Sequence, residues 1–132
     1  MATKVLDAYA LMAFFEDESG ADFVRGLILK AEEDGINLLM SVVNLGEVWY
    51  SIARTNSSET ADQYVNEIQG MAIEIVDADW KLTHQAATFK VSGNISYGDC
   101  FAAALAKERK AELVTGDKEF KVLQNEIKIS WI

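Results

Sequence analysis

The sequence predicts an α/β protein with a parallel or mostly parallel central sheet and helices on both of its faces. Two observations carry this expectation. Short apolar runs suited to strands alternate along the chain with segments whose apolar residues recur at helical spacing, the order that puts strands in one sheet and helices over it. The chain has 132 residues, half of them hydrophobic, enough for one core and too few for two. Residues 1–132 are therefore read as a single domain.

The elements follow in order. Lys4-Val5-Leu6 reads as a short strand ending at Asp7. Ala8–Phe15 has helical apolar spacing, and Asp22–Glu33 continues helical up to Gly35, a plausible stop. Ile36–Met40 is a short apolar strand. Leu45–Ala53 puts Leu45, Val48, Trp49 and Ile52 on one helical face. Thr60–Met71 reads as a polar helix, Ile73–Val76 as a strand and Trp80–Val91 as a helix. Asp99–Arg109 is an alanine-rich helix, Glu112–Thr115 a strand, Lys118–Leu123 a short helix and Ile127–Trp131 a final strand. Proline is absent, so turns fall to Gly, Ser, Asn and Asp, as in residues 16–21, 54–60 and 92–98. There is no internal repeat.

No apolar run approaches the roughly 18–20 residues that span a bilayer. The N-terminus meets Asp7 after too short an apolar stretch for a signal peptide. One cysteine, Cys100, excludes an internal disulfide and fits a reducing compartment, so a cytoplasmic protein is expected. The net charge is −9, against the basic footprint usual for nucleic-acid binding. It is uneven: residues 1–80 carry 15 acids against 4 bases, and residues 81–132 carry 6 against 8. Lys90, Lys107, Arg109, Lys110, Lys118 and Lys121 are either a basic rim beside an acidic site or a solvated surface.

Four acids carry the chemistry. Asp7 follows the first strand. Asp117 follows strand Glu112–Thr115 after a glycine turn. Glu47 lies one turn into a helix after a strand, and Asp99 opens a helix after a loop. In open parallel sheets, ligands bind outside the carboxyl ends of the strands, and acids at those ends meet there although they are 40, 52 and 18 residues apart. Each acid also has an ordinary reading as a helix cap. Asn44-Leu45-Gly46-Glu47 and Ser96-Tyr97-Gly98-Asp99 look like capping boxes, and Asp7 and Asp117 precede helices. Capping does not explain why all four belong to the same end of one sheet. Two carboxylates about 4 Å apart repel by roughly 4 kcal/mol at an effective dielectric near 20. Convergence therefore calls for protonation or a bound cation. An all-oxygen donor set selects Mg²⁺ or Mn²⁺, and one His with one Cys argues against zinc. A hard cation in a carboxylate cup suits phosphodiester hydrolysis, and it reverses the local sign of charge for an anionic substrate.

At these residues the chain resembles the PIN domains, and among them the VapC-type toxins of toxin–antitoxin pairs. The matching pieces are Val5-Leu6-Asp7-Ala8, Asn44-Leu45-Gly46-Glu47-Val48, residues 95–106 (ISYGDCFAAALA) and residues 113–120 (LVTGDKEF). Their order and spacing cover nearly the whole chain. A strand followed by Asp is weak alone, whereas Ser-x-x-Asp followed a strand later by Thr-Gly-Asp-x-x-Phe is much more specific. The resemblance implies a three-layer α/β/α sandwich and Mg²⁺- or Mn²⁺-dependent endoribonuclease activity. It implies a cognate antitoxin that covers or distorts the active site, and a toxin homodimer. It assigns Asp7, Glu47, Asp99 and Asp117 as metal-binding and catalytic, with Ser96 and Thr115 supporting them by hydrogen bonds. Cys100 departs from the more usual alanine, a tolerable exchange for a small apolar residue.

Other residues are weighed and set aside. His84 has no partners for a catalytic set. Cys100 next to Asp99 is a poor nucleophile. Trp49, Tyr50, Trp80 and Trp131 could stack on bases but are more often core or interface. Arg54 and Lys90 are candidate RNA phosphate contacts. Segments Ala8–Phe15 and Leu45–Ala53 carry apolar surface that a dimer or antitoxin interface would absorb. Alternative readings are a receiver-like domain that accepts a phosphoryl group on Asp, and an inactive PIN-fold interaction module. A receiver wants paired acids after its first strand and another after a central strand, which the chain lacks. An Asp-x-Asp phosphatase is disfavoured because Asp7-Ala8-Tyr9 has no second Asp.

Overall fold

Alternate residues of each strand face opposite ways, and both faces here are apolar, so the sheet has to be covered on both sides. Val5, Leu39 and Leu113 point into one core, while Leu6, Leu38, Met40, Ile73 and Val114 point into the other. The computed structural model describes residues 3–132; Met1 and Ala2, the start of the segment read above as no signal peptide, lie outside the described residues. The strands are β1 (Lys4–Leu6), β2 (Leu38–Ser41), β3 (Ile73–Val76), β4 (Glu112–Thr115) and β5 (Lys128–Trp131). They form one five-stranded sheet in the order β3-β2-β1-β4-β5, every pair parallel.

The helices are α1 (Ala8–Phe15), α2 (Ala21–Asp34), α3 (Val42–Thr55), α4 (Ser58–Gln69), α5 (Trp80–Ser92) and α6 (Tyr97–Arg109), with a 3-10 helix at Lys118–Leu123. Helices α1–α4 cover one face. α5, α6 and the 3-10 helix cover the other. The expected three-layer α/β/α sandwich is what the chain forms. The chain steps from β1 outward to β3 by way of α1–α4, crosses back to β4 by way of α5 and α6, and reaches β5 through the 3-10 helix. Reversing direction while changing face keeps every crossover of the same hand. The order reverses between β1 and β4, and that switch point opens a crevice at their carboxyl ends. Receiver domains have the order 2-1-3-4-5, so this sheet removes the receiver reading. No helix among the described residues is long and apolar enough to cross a membrane.

Several boundaries differ from expectation for local reasons. α2 ends at Gly35 as anticipated, with φ +68°. The Ile36 amide still donates to the Ala31 carbonyl at 3.2 Å, so Ile36 closes the helix and β2 begins only at Leu38. β2 runs on to Ser41, whose hydroxyl accepts from the Val43 amide and caps α3. α3 therefore starts before Asn44, and Asn44 is not its cap. Ser57 caps α4 and Ser96 caps α6 in the same way, which moves both starts towards the N-terminus.

α6 packs antiparallel to the strands. Its first turn stands at their carboxyl ends, and its last turn, about 20 Å away at 1.5 Å per residue, stands at their amino ends. Lys107, Arg109 and Lys110 belong to that far end. Lys107 pairs with Glu126 and Arg109 with Glu74. These three bases form no rim beside the acids, contrary to the first of the two readings entertained above.

Candidate active site

Each acid arrives on an element with its own reason to end or begin there. Asp7 terminates β1 and caps α1, its Oδ1 accepting from the Ala10 amide at 2.8 Å. It is buried to 1% exposure, and its Oδ2 accepts from the Thr115 hydroxyl at 2.5 Å. Thr115, the last residue of β4, also accepts from the Asp117 amide at 3.0 Å. One hydroxyl thus ties the carboxyl ends of β1 and β4 across the switch point. Asp117 caps the 3-10 helix through the Glu119 amide. Ser96 caps α6 by accepting from the Asp99 amide at 3.2 Å.

Glu47 lies one turn into α3, as expected, although the helix starts at Val42 rather than at Leu45. Asn44, fully buried one turn earlier, donates from Nδ2 both to Glu47 Oε1 at 2.7 Å and to the Gly98 carbonyl at 3.0 Å. Both partners accept, so the orientation of the Asn44 amide is settled by chemistry. Its Oδ1 is buried without a partner. The Glu47 carboxylate rests directly on Gly98: a Cβ there would come within 2.2 Å of Oε2. Asn44 and Gly98 together place the acid of α3 against the first turn of α6, beside Asp99.

One carboxyl oxygen from each of Asp99, Asp117 and Glu119 lies within 4.8 Å of the other two. Burial pushes Asp7 up to about 7, the repulsion of Asp99 and Asp117 adds to it, and the bonds from Thr115 and Ala10 pull it back only partly. Asp99 is also pushed up to about 7, first by burial, then by Asp117, with Glu47 and Glu119 adding to it. Burial raises Glu47, against the pull of Asn44. Asp99 thus feels Asp117, Glu47 and Glu119, and Asp7 feels Asp99 and Asp117, while among the described residues the only three acids that bring carboxyl oxygens within 4.8 Å of one another are Asp99, Asp117 and Glu119. Capping holds for Asp7 and Asp117, which accept from amides of the helices they precede, but not for Glu47 or Asp99, because Ser41 and Ser96 cap α3 and α6.

Glu119 was missed. The available signal was a second acid two residues after Asp117, in a position read only as the variable part of Thr-Gly-Asp-x-x-Phe. Asn44 was read as a capping partner, but its side chain bridges two elements instead. Arg54 stands two turns beyond Glu47 on α3, its guanidinium carbon 4.9 Å from the Tyr50 ring centre. Lys90 donates to the Ile95 carbonyl at 2.7 Å and so holds the loop that delivers Ser96 and Asp99. Cys100 is buried, its thiol pushed up by that burial with Asp99 adding and Lys90 opposing, as its setting aside anticipated. Trp49 is half-buried and donates to Asp62, and exposed His84 lies against Trp80, both away from the acids.

The donors at this cleft are all carboxylate oxygens, and among the described residues none of the ion pairs involves any of the five acids. Negative charge gathered without a basic side chain to balance it fits a divalent cation of the hard class. The fold and cleft define an α/β protein with an acidic crevice at the switch point of its sheet, suited by its donor set to a cation. The chain belongs to the PIN domain family, whose model matches residues 4–126; members of that family are generally ribonucleases. Among solved structures it is similar to DNA-bound VapBC from Salmonella typhimurium, at 17% identity over 98% of each chain and TM-score 0.76. It is also similar to VapBC2 from Rickettsia felis bound to a promoter DNA fragment, at 18% identity over 97% of each chain and TM-score 0.75. A third is VapC20 from Mycobacterium tuberculosis, a toxin that cleaves the sarcin-ricin loop, at 14% identity over 91% of this chain and 94% of that one, TM-score 0.71. No curated protein matches the sequence.

Proposed function

We propose that this chain is a Mg²⁺- or Mn²⁺-dependent endoribonuclease, the toxin of a type II toxin–antitoxin pair working in the cytoplasm. The single observation that carries the reading is the set of carboxylates at the switch point, none of which forms an ion pair among the described residues. Asp7, Glu47, Asp99 and Asp117 are the metal-binding and catalytic acids, and Glu119 joins them at the rim. A bound divalent cation would lower the pKa of a coordinated water and offset charge on the scissile phosphate.

The chain's own residues do the rest. Thr115 orients the Asp7 carboxylate by donating to it and orients Asp117 by accepting from its amide. Asn44 and the seat at Gly98 orient Glu47. Ser96 fixes the first turn of α6 and with it Asp99. Arg54, on the Glu47 side of α3, and Lys90, beside the α6 start, are the proposed RNA phosphate contacts. Exposed Phe23 and Leu29 on α2 and Val42 and Tyr50 on α3 offer apolar surface for a cognate antitoxin or a homodimer partner. The two-component composition of the VapBC neighbours supports the antitoxin.

The test is cleavage of purified total RNA by wild type and Asp7→Asn, each with Mn²⁺ and with chelator. Discrete fragments that need the metal and vanish in the variant are expected. Cleavage that survives chelation or the substitution overturns the reading. No cleavage by antitoxin-free wild type points instead to an inactive interaction module.

A further inference from the structure

Gly116 stands between Thr115 and Asp117, and its backbone is outside the left-handed region, so conformation does not demand glycine there. Space does. A Cβ on Gly116 would lie 2.3 Å from Cε1 of Tyr9, 2.8 Å from Cζ and 3.0 Å from the hydroxyl. The phenol end of Tyr9 therefore rests directly on β4's exit, between Asp7, two residues before it in the chain, and Asp117, next to its seat. Yet Tyr9 is 47% exposed. An aromatic ring whose phenol end rests on the glycine before Asp117, and which is half exposed two residues after Asp7, is poorly explained as core. Asp7 and Asp117, its neighbours in the chain and beside its seat, are acids that would hold the metal and phosphate, so the exposed part of Tyr9 is near whatever is attached to that phosphate.

We propose that Tyr9 is a stacking platform for the nucleobase adjoining the cleaved phosphate. The inference rests on the ribonuclease reading above and goes beyond it by naming a substrate contact outside the acids. Single-stranded RNA presents unstacked bases that aromatic side chains take up irrespective of identity, whereas paired bases are not free to leave their stack. A platform at this place makes the enzyme select single-stranded or looped RNA with weak base preference at that nucleotide.

The experiment is a cycle between ring and base. A single-stranded RNA with one mapped cleavage site is compared with the same RNA made abasic on either side of the cut. Wild type, Tyr9→Phe, Tyr9→Leu and Tyr9→Ala are assayed for kcat/KM. Base–aromatic stacking is worth about 5- to 100-fold, so removing the base should slow wild type by that order at one flank. Tyr9→Leu and Tyr9→Ala should slow cleavage of intact RNA comparably and lose little more on the abasic strand. Tyr9→Phe should stay near wild type. Tyr9→Leu keeps apolar bulk on Gly116, so loss in Tyr9→Leu but not in Tyr9→Phe separates stacking from support of the fold. Losses that multiply at both flanks, or variants as fast as wild type, overturn the platform. The same cycle is read in parallel as Kd for fluorescent copies of the two RNAs with Ca²⁺. Coupling in binding without any cleavage keeps the platform and removes the nuclease, and absence of coupling in both readouts removes the platform.

Discussion

Gly98 and Gly116 each precede an acid of the cleft, and in both the hydrogen in place of a side chain leaves room for another residue, the Glu47 carboxylate on one and the Tyr9 ring on the other. Gly98 sits in the first turn of α6, where alanine is the better helix former by about 1 kcal/mol. Gly98→Ala should therefore melt at the same temperature as wild type or slightly above it. It should nevertheless lose RNA cleavage by about 10-fold or more, because Glu47 is forced off its position. A melting curve beside a cleavage assay decides this, and full activity in the variant would show that Glu47 is not needed where it stands. Thr115 is the other decisive single residue. Thr115→Val keeps the shape but strands the Asp117 amide and removes the donor to Asp7. A loss of about 1–3 kcal/mol in denaturant titration is expected. The loss of a bond that lowers Asp7 should also carry that carboxyl further above about 7.

At the scale of elements, the cleft depends on how α3 and α6 meet. Asn44 is the pin between them, and both groups it touches are acceptors. Asn44→Asp is nearly isosteric, yet it sets an acceptor against two acceptors and a charge beside Glu47. It should destabilise by several kcal/mol, more at pH 8 than at pH 5, where the introduced carboxyl keeps its proton and can still donate. Equal cost at both values would place Asn44's contribution in packing instead. This contact also shows where sequence reasoning stops. Strand and helix types along the chain were legible because periodicity is a property of neighbours in sequence. The start of α3 was not, since Ser41 and Asn44 are both good caps. Ser41 was chosen by the length of β2, which its pairing through to Ser41 opposite Val76 sets.

Across the whole molecule, the charges on Asp7 and Asp99 link stability to pH. Each carboxyl is raised from 3.8 to about 7 in the folded chain. Between those values the native state binds more protons than the unfolded state, so stability falls as pH rises. For fully buried Asp7 this amounts to a few kcal/mol by the usual conversion. The metal-free protein should melt higher at pH 5 than at pH 7.5, the change falling mostly between about pH 4 and pH 7. Mg²⁺ or Mn²⁺ at millimolar concentration should raise the melting temperature, and more at pH 7.5 than at pH 5, because cation and protons compete for the same oxygens. A metal-free protein most stable at pH 7.5, or one indifferent to metal, would contradict the charge distribution described here.

The sequence alone determined the alternation of strands and helices, the placing of Asp7, Asp99 and Asp117 at helix starts, and the oxygen-only donor set, because these follow from local spacing and residue chemistry. Tertiary structure decided which of those groups meet. The strand order set the switch point between β1 and β4, where Thr115 reaches Asp7 across 108 residues. The antiparallel packing of α6 carried Lys107, Arg109 and Lys110 to the end away from the acids. The approach of α3 to α6 made Asn44 a bridge, and the turn after β4 brought in Glu119. Contacts of this kind depend on the course of the whole chain, and residues far apart in sequence carry no record of it in their immediate neighbours.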